Sequence, residues 1–283
     1  MDQLSKLRIG TAGIPASTSL RSSQAGIQRL AELGLGCMEL EFVRSIQMKE
    51  PTALDVKKVA EGTDIELTVH APYYVNLNSK EPEKVTASKE RILKAARIGR
   101  VAGANSVTFH ASFYHDDDHN IVYERTKKQL IEIRTILNDE GNTIDLRPET
   151  TGSPTQFGTV SEIVQLGVEI PGVYPCVDFS HLHARSNGAF NTYEEFCQVL
   201  TQIQENLGKS AIQRLHMHVS GIDYGVKGEK KHLPLQESDM AYEALLQALI
   251  DFNVGGWLIC ESPELENDAL LLQRAYQRLL EKE

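Results

Sequence analysis

Six residues of the kinds that bind divalent metals each stand at or just past the end of a short, β-like apolar run. They are His70 in IELTVH (65 to 70), His110 in NSVTFH (105 to 110), Glu149 in NTIDLRPE (142 to 149), Asp178 in YPCVD (174 to 178), His218 in QRLHMH (213 to 218) and Glu261 in GWLICE (256 to 261). A lone histidine in an apolar strand is ordinarily a hydrogen-bonded core residue. Six strands that each finish on a ligand type point instead to a polynuclear metal site. Three imidazoles and three carboxylates suit zinc, alone or mixed with manganese or iron. A carboxylate such as Glu149 can bridge two ions about 3.5 to 4 Å apart, which suits hydrolysis of a phosphodiester. Such ions lower the pKa of a bound water and stabilise the departing oxygen, so no side-chain nucleophile is required. Asp178 is followed by His181 and His183 in VDFSHLHAR, and the Asp-x-x-His spacing selects His181. His216 and His218 lie on one face of their strand, and His218 is favoured because it is nearer the C-terminal end.

The elements that would position these residues alternate from end to end. Two further strand-like runs, LRIGTAG (7 to 13) and CMELEFV (37 to 43), bring the count to eight. Helical patterns separate them at 25 to 34, 53 to 62, 82 to 103, 123 to 141, 160 to 167, 191 to 208, 240 to 252 and 267 to 280, several finishing on glycine. Strict alternation of this kind predicts a single α/β domain over 1 to 283, a (β/α)8 TIM barrel of parallel strands. Its active site would lie at the C-terminal ends of the strands, which such a barrel gathers on one face. Two polar segments stand out. HDDDHN (115 to 120) reads as a solvated loop, and GIDYGVKGEKKHLPLQESD (221 to 239) is too long for a simple connection, a feature usually tied to function after a barrel strand.

Composition bounds the class. The chain has 283 residues, 41% of them hydrophobic, and a formal net charge of -10, which argues weakly against an extended basic surface. Ligand carboxylates contribute to that count, and bound cations would invert the field at the site. No apolar run reaches the roughly 18 residues of a membrane span, and the start, MDQLSKLRIG, lacks the apolar stretch of a secretory signal. Cys37, Cys176, Cys197 and Cys260 are widely spaced with no Cys-x-x-Cys pair, as expected for reduced, buried thiols in a cytoplasmic protein. There is no Gly-x-Gly-x-x-Gly after a strand and no phosphate-binding Gly-Lys-Ser/Thr loop, so nucleotide chemistry lacks support.

The ordered motifs resemble the endonuclease IV family, AP endonuclease family 2, within the xylose isomerase-like barrels. His70 stands in VHAPYYVNLNS, similar to the family's His-x-x-Tyr-x-x-Asn, and His110 in TFHAS resembles Phe-His-Pro-Gly. Glu149 in PETTG, Asp178 and His181 in VDFSH, His218 in HVSG and Glu261 in CESP complete a series covering nearly the whole chain. The resemblance implies a zinc-dependent hydrolase of two or three ions that incises DNA 5′ to abasic sites during repair. Glu149 would be the catalytic, bridging carboxylate, His70 and His110 would hold one ion, Asp178, His218 and Glu261 another, and His181 and His232 a third. Tyr73 and Asn76 would line the pocket for the sugar or phosphate.

One position departs from the family's pattern. Lys230 stands where the family has an aspartate two residues before the histidine corresponding to His232. A third ion then needs another carboxylate, Glu229 or Asp223, or else the Lys230 ammonium binds a substrate phosphate as a point charge. HVSGIDYG and FVRSIQM also lack the family's Asn-Asp-Ser and Asn-Gln-Arg strings. Two other readings fit the same barrel: a sugar isomerase or epimerase with one metal, using Glu149 and Glu261 as acid and base, and a binding module that has lost part of its site. No protein partner and no membrane role is indicated.

Overall fold

The computed structural model describes residues 6–281, so the ends of the 1-to-283 domain and the first residues of the N-terminal segment lie outside the described residues. In chain order the elements are β1 (Leu7–Ala12), α1 (Ser23–Leu33), β2 (Cys37–Glu41), α2 (Glu50–Thr63), β3 (Glu66–His70), α3 (Pro82–Val101), β4 (Ser106–Phe109), α4 (His119–Asp139) and β5 (Asp145–Pro148). They continue with α5 (Val160–Glu169), β6 (Cys176–Asp178), α6 (Phe179–Arg185), α7 (Tyr193–Leu207), α8 (Lys209–Ile212), β7 (Leu215–Val219), β8 (Gly221–Gly225), β9 (Gly228–Leu233), α9 (Tyr242–Asp251), β10 (Gly256–Cys260) and α10 (Glu266–Leu280). Eight parallel strands follow the order β5-β4-β3-β2-β1-β10-β7-β6. Isolated parallel bridges Leu146 to Val173 and Glu149 to Cys176 join the two ends, completing a TIM barrel.

Local chemistry sets the helix ends. Thr159 with Glu162, and Thr192 with Glu195, form reciprocal capping boxes that satisfy orphan N–H groups at the starts of α5 and α7. Proline occupies the first turn of α2 and of α3, where a missing N–H costs nothing. Gly34 closes α1 in the left-handed region at φ 74°. Two short helices lie outside the predicted pattern: α6, directly after β6, and α8. The polar segment 221 to 239 holds an antiparallel hairpin, β8 paired with β9. Asp118 of the predicted solvated loop caps α4 by accepting from the Asn120 and Ile121 N–H groups.

The apolar core lies between the barrel and its helices. Leu40, Leu67, Val69, Val107, Leu146, Val177, Met217 and Leu258 from the strands join helix residues such as Ile27, Leu30, Ile92 and Leu249 in one buried cluster. Alternation along each strand then turns the intervening residues inward. These are Glu39 and Glu41 on β2, Thr68 and His70 on β3, Thr108 on β4, Arg147 on β5, Cys176 and Asp178 on β6, and His216 and His218 on β7. A barrel interior of this kind is usually filled by Val, Ile and Leu. Here much of it is polar, and the polarity is greatest toward the C-terminal end. Among the described residues no helix is long and apolar enough to cross a membrane. All four cysteines are free, and Cys37, Cys176 and Cys260 are buried.

Candidate metal centre

Glu149 sits at the centre of the C-terminal mouth, fully buried, at the residue after β5. Its Oε2 lies 3.3 Å from His70 Nε2 and 3.3 Å from His110 Nε2, so these residues form one group of donors. Its Oε1 lies 3.3 Å from His218 Nδ1 and 3.2 Å from His181 Nδ1. Glu149, Asp178, His218 and Glu261 form a second group, with His218 Nδ1 3.4 Å from Glu261 Oε1. The two oxygens of one carboxylate thus face two different sets of donors. That is the disposition a bridging ligand requires.

A third group is His181, Glu229 and His232. Glu229 accepts both rings, with Oε2 3.2 Å from His181 Nε2 and Oε1 3.3 Å from His232 Nε2. In a regular strand, residues three apart face opposite sides. The β8–β9 ladder shifts register between Asp223 and Tyr224, where Tyr224 pairs with Glu229 and Asp223 with Lys231. Lys230 is the residue left without a counterpart, and this bulge changes the parity of the strand so that Glu229 and His232 share a face. Of the two carboxylates weighed from the sequence, the structure brings Glu229 to the histidines. Lys230 is not brought there: its exposed ammonium meets Asp223 Oδ1 at 3.2 Å.

The short helix α6 explains the Asp178 and His181 pair. Asp178 caps it, its Oδ1 accepting from the His181 backbone N–H at 2.8 Å, and this places the His181 ring beside Glu149. His183 points elsewhere, with Nε2 3.0 Å from Asp239 Oδ1 and Nδ1 3.0 Å from the Phe190 carbonyl. At the rim, the Tyr73 ring lies edge-on to His70 at 5.8 Å and is 58% exposed. The Asn76 carboxamide accepts from the Asn78 N–H at 3.0 Å and meets His115 Nε2 at 3.1 Å.

The electrostatics are those of acids and imidazoles that neutralise one another. Burial disfavours charge on Glu149, yet His110 and His218 hold its carboxyl well below the ordinary range. His70 is likewise penalised by burial but is raised to about 10 by Glu149 and Glu41. Burial pushes Asp178 up to about 6 and Glu41 up to about 8. His232 is raised to about 9, the contact with Glu229 outweighing its burial. Asp178 Oδ2 is buried and makes no hydrogen bond, with His181 Nδ1 at 3.2 Å, an acceptor of the kind a cation satisfies. The donor set therefore fits divalent metal ions, which would replace the protons now shared between carboxylates and rings.

Below this mouth lies a further layer, built around Glu39, in which the sequence singles out only His216. Glu39 is wholly buried, its Oε2 2.9 Å from His216 Nε2 and its Oε1 3.0 Å from His218 Nε2. The Thr68 hydroxyl donates to Glu39 Oε2 at 2.7 Å. His216 also meets Ser106 Oγ at 3.1 Å through Nδ1, and burial lowers its pKa to about 4, so it is a neutral ring. The available signal was Glu39 and Glu41 at alternate positions of an otherwise apolar strand, which puts two carboxylates on one face.

Comparison with known proteins agrees with this architecture. An uncharacterized protein of Methanocaldococcus jannaschii is 44% identical over 273 residues, covering 96% of this chain and 98% of its own length. A probable endonuclease 4 of Mycobacterium leprae is 24% identical over 222 residues, covering 76% of this chain and 80% of its own. Among solved structures, a D-tagatose 3-epimerase-like protein superposes with a TM-score of 0.73 at 17% identity, over 96% of this chain and 97% of that one. Endonuclease IV from Thermus thermophilus superposes with a TM-score of 0.72 at 18% identity, over 96% of this chain and 100% of that one. With residues 27–281 matching its model, the chain belongs to the xylose isomerase-like TIM barrel family.

Proposed function

We propose that this protein is a zinc-dependent phosphodiester hydrolase that incises DNA 5′ to abasic sites, with two or three ions and with manganese or iron as alternatives to zinc. The observation that carries the reading is the third donor group, His181, Glu229 and His232, standing beside two groups that share Glu149. A sugar isomerase that uses one ion would need a single donor group, such as the one that contains Glu149, Asp178, His218 and Glu261. It leaves His70, His110, His181, Glu229 and His232 without a task. The 24% identity to a probable endonuclease 4 supports the same choice.

In this reading His70, His110 and Glu149 hold one ion, Asp178, His218, Glu261 and Glu149 a second, and His181, Glu229 and His232 a third. Bound there, such ions would supply Lewis acidity suited to hydrolysis of a phosphodiester. Glu149 spaces the first two groups and fixes their relation to each other. Tyr73, whose phenol is raised to about 12 by burial and by Glu41, Glu261 and Glu149, stays protonated and would offer a hydrogen-bond donor to a substrate at the rim. Asn76 lines the same side for the sugar or phosphate. Lys230 serves a flanking phosphate on the hairpin, as a point charge outside the donor groups.

The second reading, epimerisation or isomerisation of a small sugar, is favoured by one observation. Glu149 and Glu261 both face His218 Nδ1, at 3.3 and 3.4 Å, a pair of carboxylates that could act as acid and base on a small polyol. A duplex carrying a single tetrahydrofuran site separates the two readings. The hydrolase incises it, and a chelator abolishes the incision. Absence of incision with zinc, manganese and magnesium removes the nuclease reading.

A further inference from the structure

The orientation of His218 has no explanation within the donor groups alone. Its Nδ1 faces Glu149 and Glu261 at 3.3 and 3.4 Å, whereas its Nε2 faces down into the barrel toward Glu39 Oε1 at 3.0 Å. A neutral imidazole carries its proton on one nitrogen only, and the nitrogen without it is the one able to ligate. Glu39 is placed to decide which. It is fully buried, its Oε2 takes the Thr68 hydroxyl at 2.7 Å and His216 Nε2 at 2.9 Å, and Oε1 has the His218 ring nitrogen as its close neighbour.

We infer that Glu39 is a positioning residue, which fixes the proton of His218 on Nε2 and so presents the Nδ1 lone pair to the metal group of Glu149, Asp178 and Glu261. His216 and Thr68 hold Glu39 in turn. Ser106 Oγ lies 3.1 Å from His216 Nδ1; in this assignment the hydroxyl donates and the proton of that ring sits on Nε2, toward Glu39. Glu39 then faces both rings through their Nε2 atoms, which also lie 3.3 Å from each other. A carboxylate behind a ligating histidine raises the basicity of the ring and locks its tautomer, and loss of such a partner typically weakens metal binding about 10- to 100-fold. The inference explains why a glutamate is tolerated in a strand whose neighbours are apolar. It rests on the reading of Glu149, Asp178, His218 and Glu261 as a metal group.

The test uses zinc as probe with the full chain. In the zinc-loaded protein, magnetic resonance of isotope-labelled imidazole nitrogens reports which nitrogen of His218 carries the proton, and the expected result is Nε2 with zinc on Nδ1. Competition with a chromogenic chelator then measures each zinc equivalent. Glu39→Gln is expected to weaken one equivalent by about 10- to 100-fold. Thr68→Val, a milder change that keeps shape, weakens the same equivalent by a smaller factor. Cys176→Ser is expected to leave stoichiometry unchanged. Zinc on His218 Nε2 overturns the inference, and so does Glu39→Gln that folds and binds every equivalent as tightly as the parent. Loss of one equivalent in Cys176→Ser also overturns it, since Cys176, His216 and His218, which lie close enough to share an ion, would then form a separate thiolate site. If Glu39→Gln fails to fold, the nitrogen assignment and Thr68→Val decide. Zinc content unaffected by Glu149→Gln removes the metal-group reading itself, which is a different failure.

Discussion

Exchanging Glu229 for glutamine removes the negative charge that His181 and His232 share and leaves the size of the side chain unchanged. Both contacts are short, 3.2 and 3.3 Å, and the carboxylate is 27% exposed on a hairpin at the edge of the mouth, so the barrel does not depend on it. Unit charges about 4 Å apart interact by about 4 kcal/mol at an effective dielectric of about 20. Incomplete burial and the residual ligation of an amide oxygen reduce this to about 2 to 3 kcal/mol, or roughly 30- to 140-fold in affinity at about 1.4 kcal/mol per decade. The expected outcome is selective: in equilibrium dialysis against limiting zinc, the variant loses the equivalent held by His181 and His232 and keeps those around Glu149. Elemental analysis of the dialysed protein reads this directly. Equal zinc content and affinity in the two proteins would refute the assignment of Glu229 as the replacement for the family's aspartate.

Four more expectations follow from the same geometry. Glu149→Gln should lose more incision activity than the about 10- to 100-fold typical of an outer partner, while circular dichroism stays unchanged; unchanged rates and metal content would rule out bridging. His181→Ala should lower bound metal and His183→Ala should not, because His183 is engaged with Asp239 and Phe190; equal losses would contradict this. Gly152→Ala should impair the third group, since a Cβ there would stand 2.7 Å from Glu229 Oε2 and 3.0 Å from His181 Cδ2; normal occupancy of that group would count against its geometry. The metal-free protein should lose stability as pH rises from about 6.5 toward 9 and 10, because His232 and His70 have folded pKa values raised to about 9 and about 10, so their contribution is complete below 6.5 and disappears as they deprotonate. Zinc should flatten that fall, because ligating rings are already neutral; a melting temperature independent of pH over this window in the metal-free protein would contradict the charge assignment.

Much of this was legible in the sequence because strand ends carry two signals at once. An apolar run of strand length followed by His, Glu or Asp marks both the element and a candidate ligand, and all six such positions fall in the groups of possible donors at the barrel mouth. The hairpin was not legible. GIDYG and GEKKHL contain few apolar residues, and the hairpin is half exposed, so its alternation lacks contrast. Helix α6 escaped for a different reason: Phe179, Ser180, His181, Leu182, His183 and Ala184 are all buried, so its serine and histidines do not mark a solvent face. The position of Glu229 depends on a bulge at Lys230, which changes which residues share a face without leaving a mark in composition. Glu39 was hidden by its setting, being read as part of a strand when its burial and its contacts with His216 and His218 give it a different meaning.

The central claim is that one carboxylate, Glu149, stands between separate groups of metal donors. Its most direct test is the number of zinc ions bound per chain at saturation, measured by elemental analysis on protein purified without chelator or affinity tag. More than one is predicted, rising to three when the His181, Glu229 and His232 group is filled. A single equivalent, unchanged by substitution of His232, would contradict the polynuclear account and leave the one-metal sugar reading in its place.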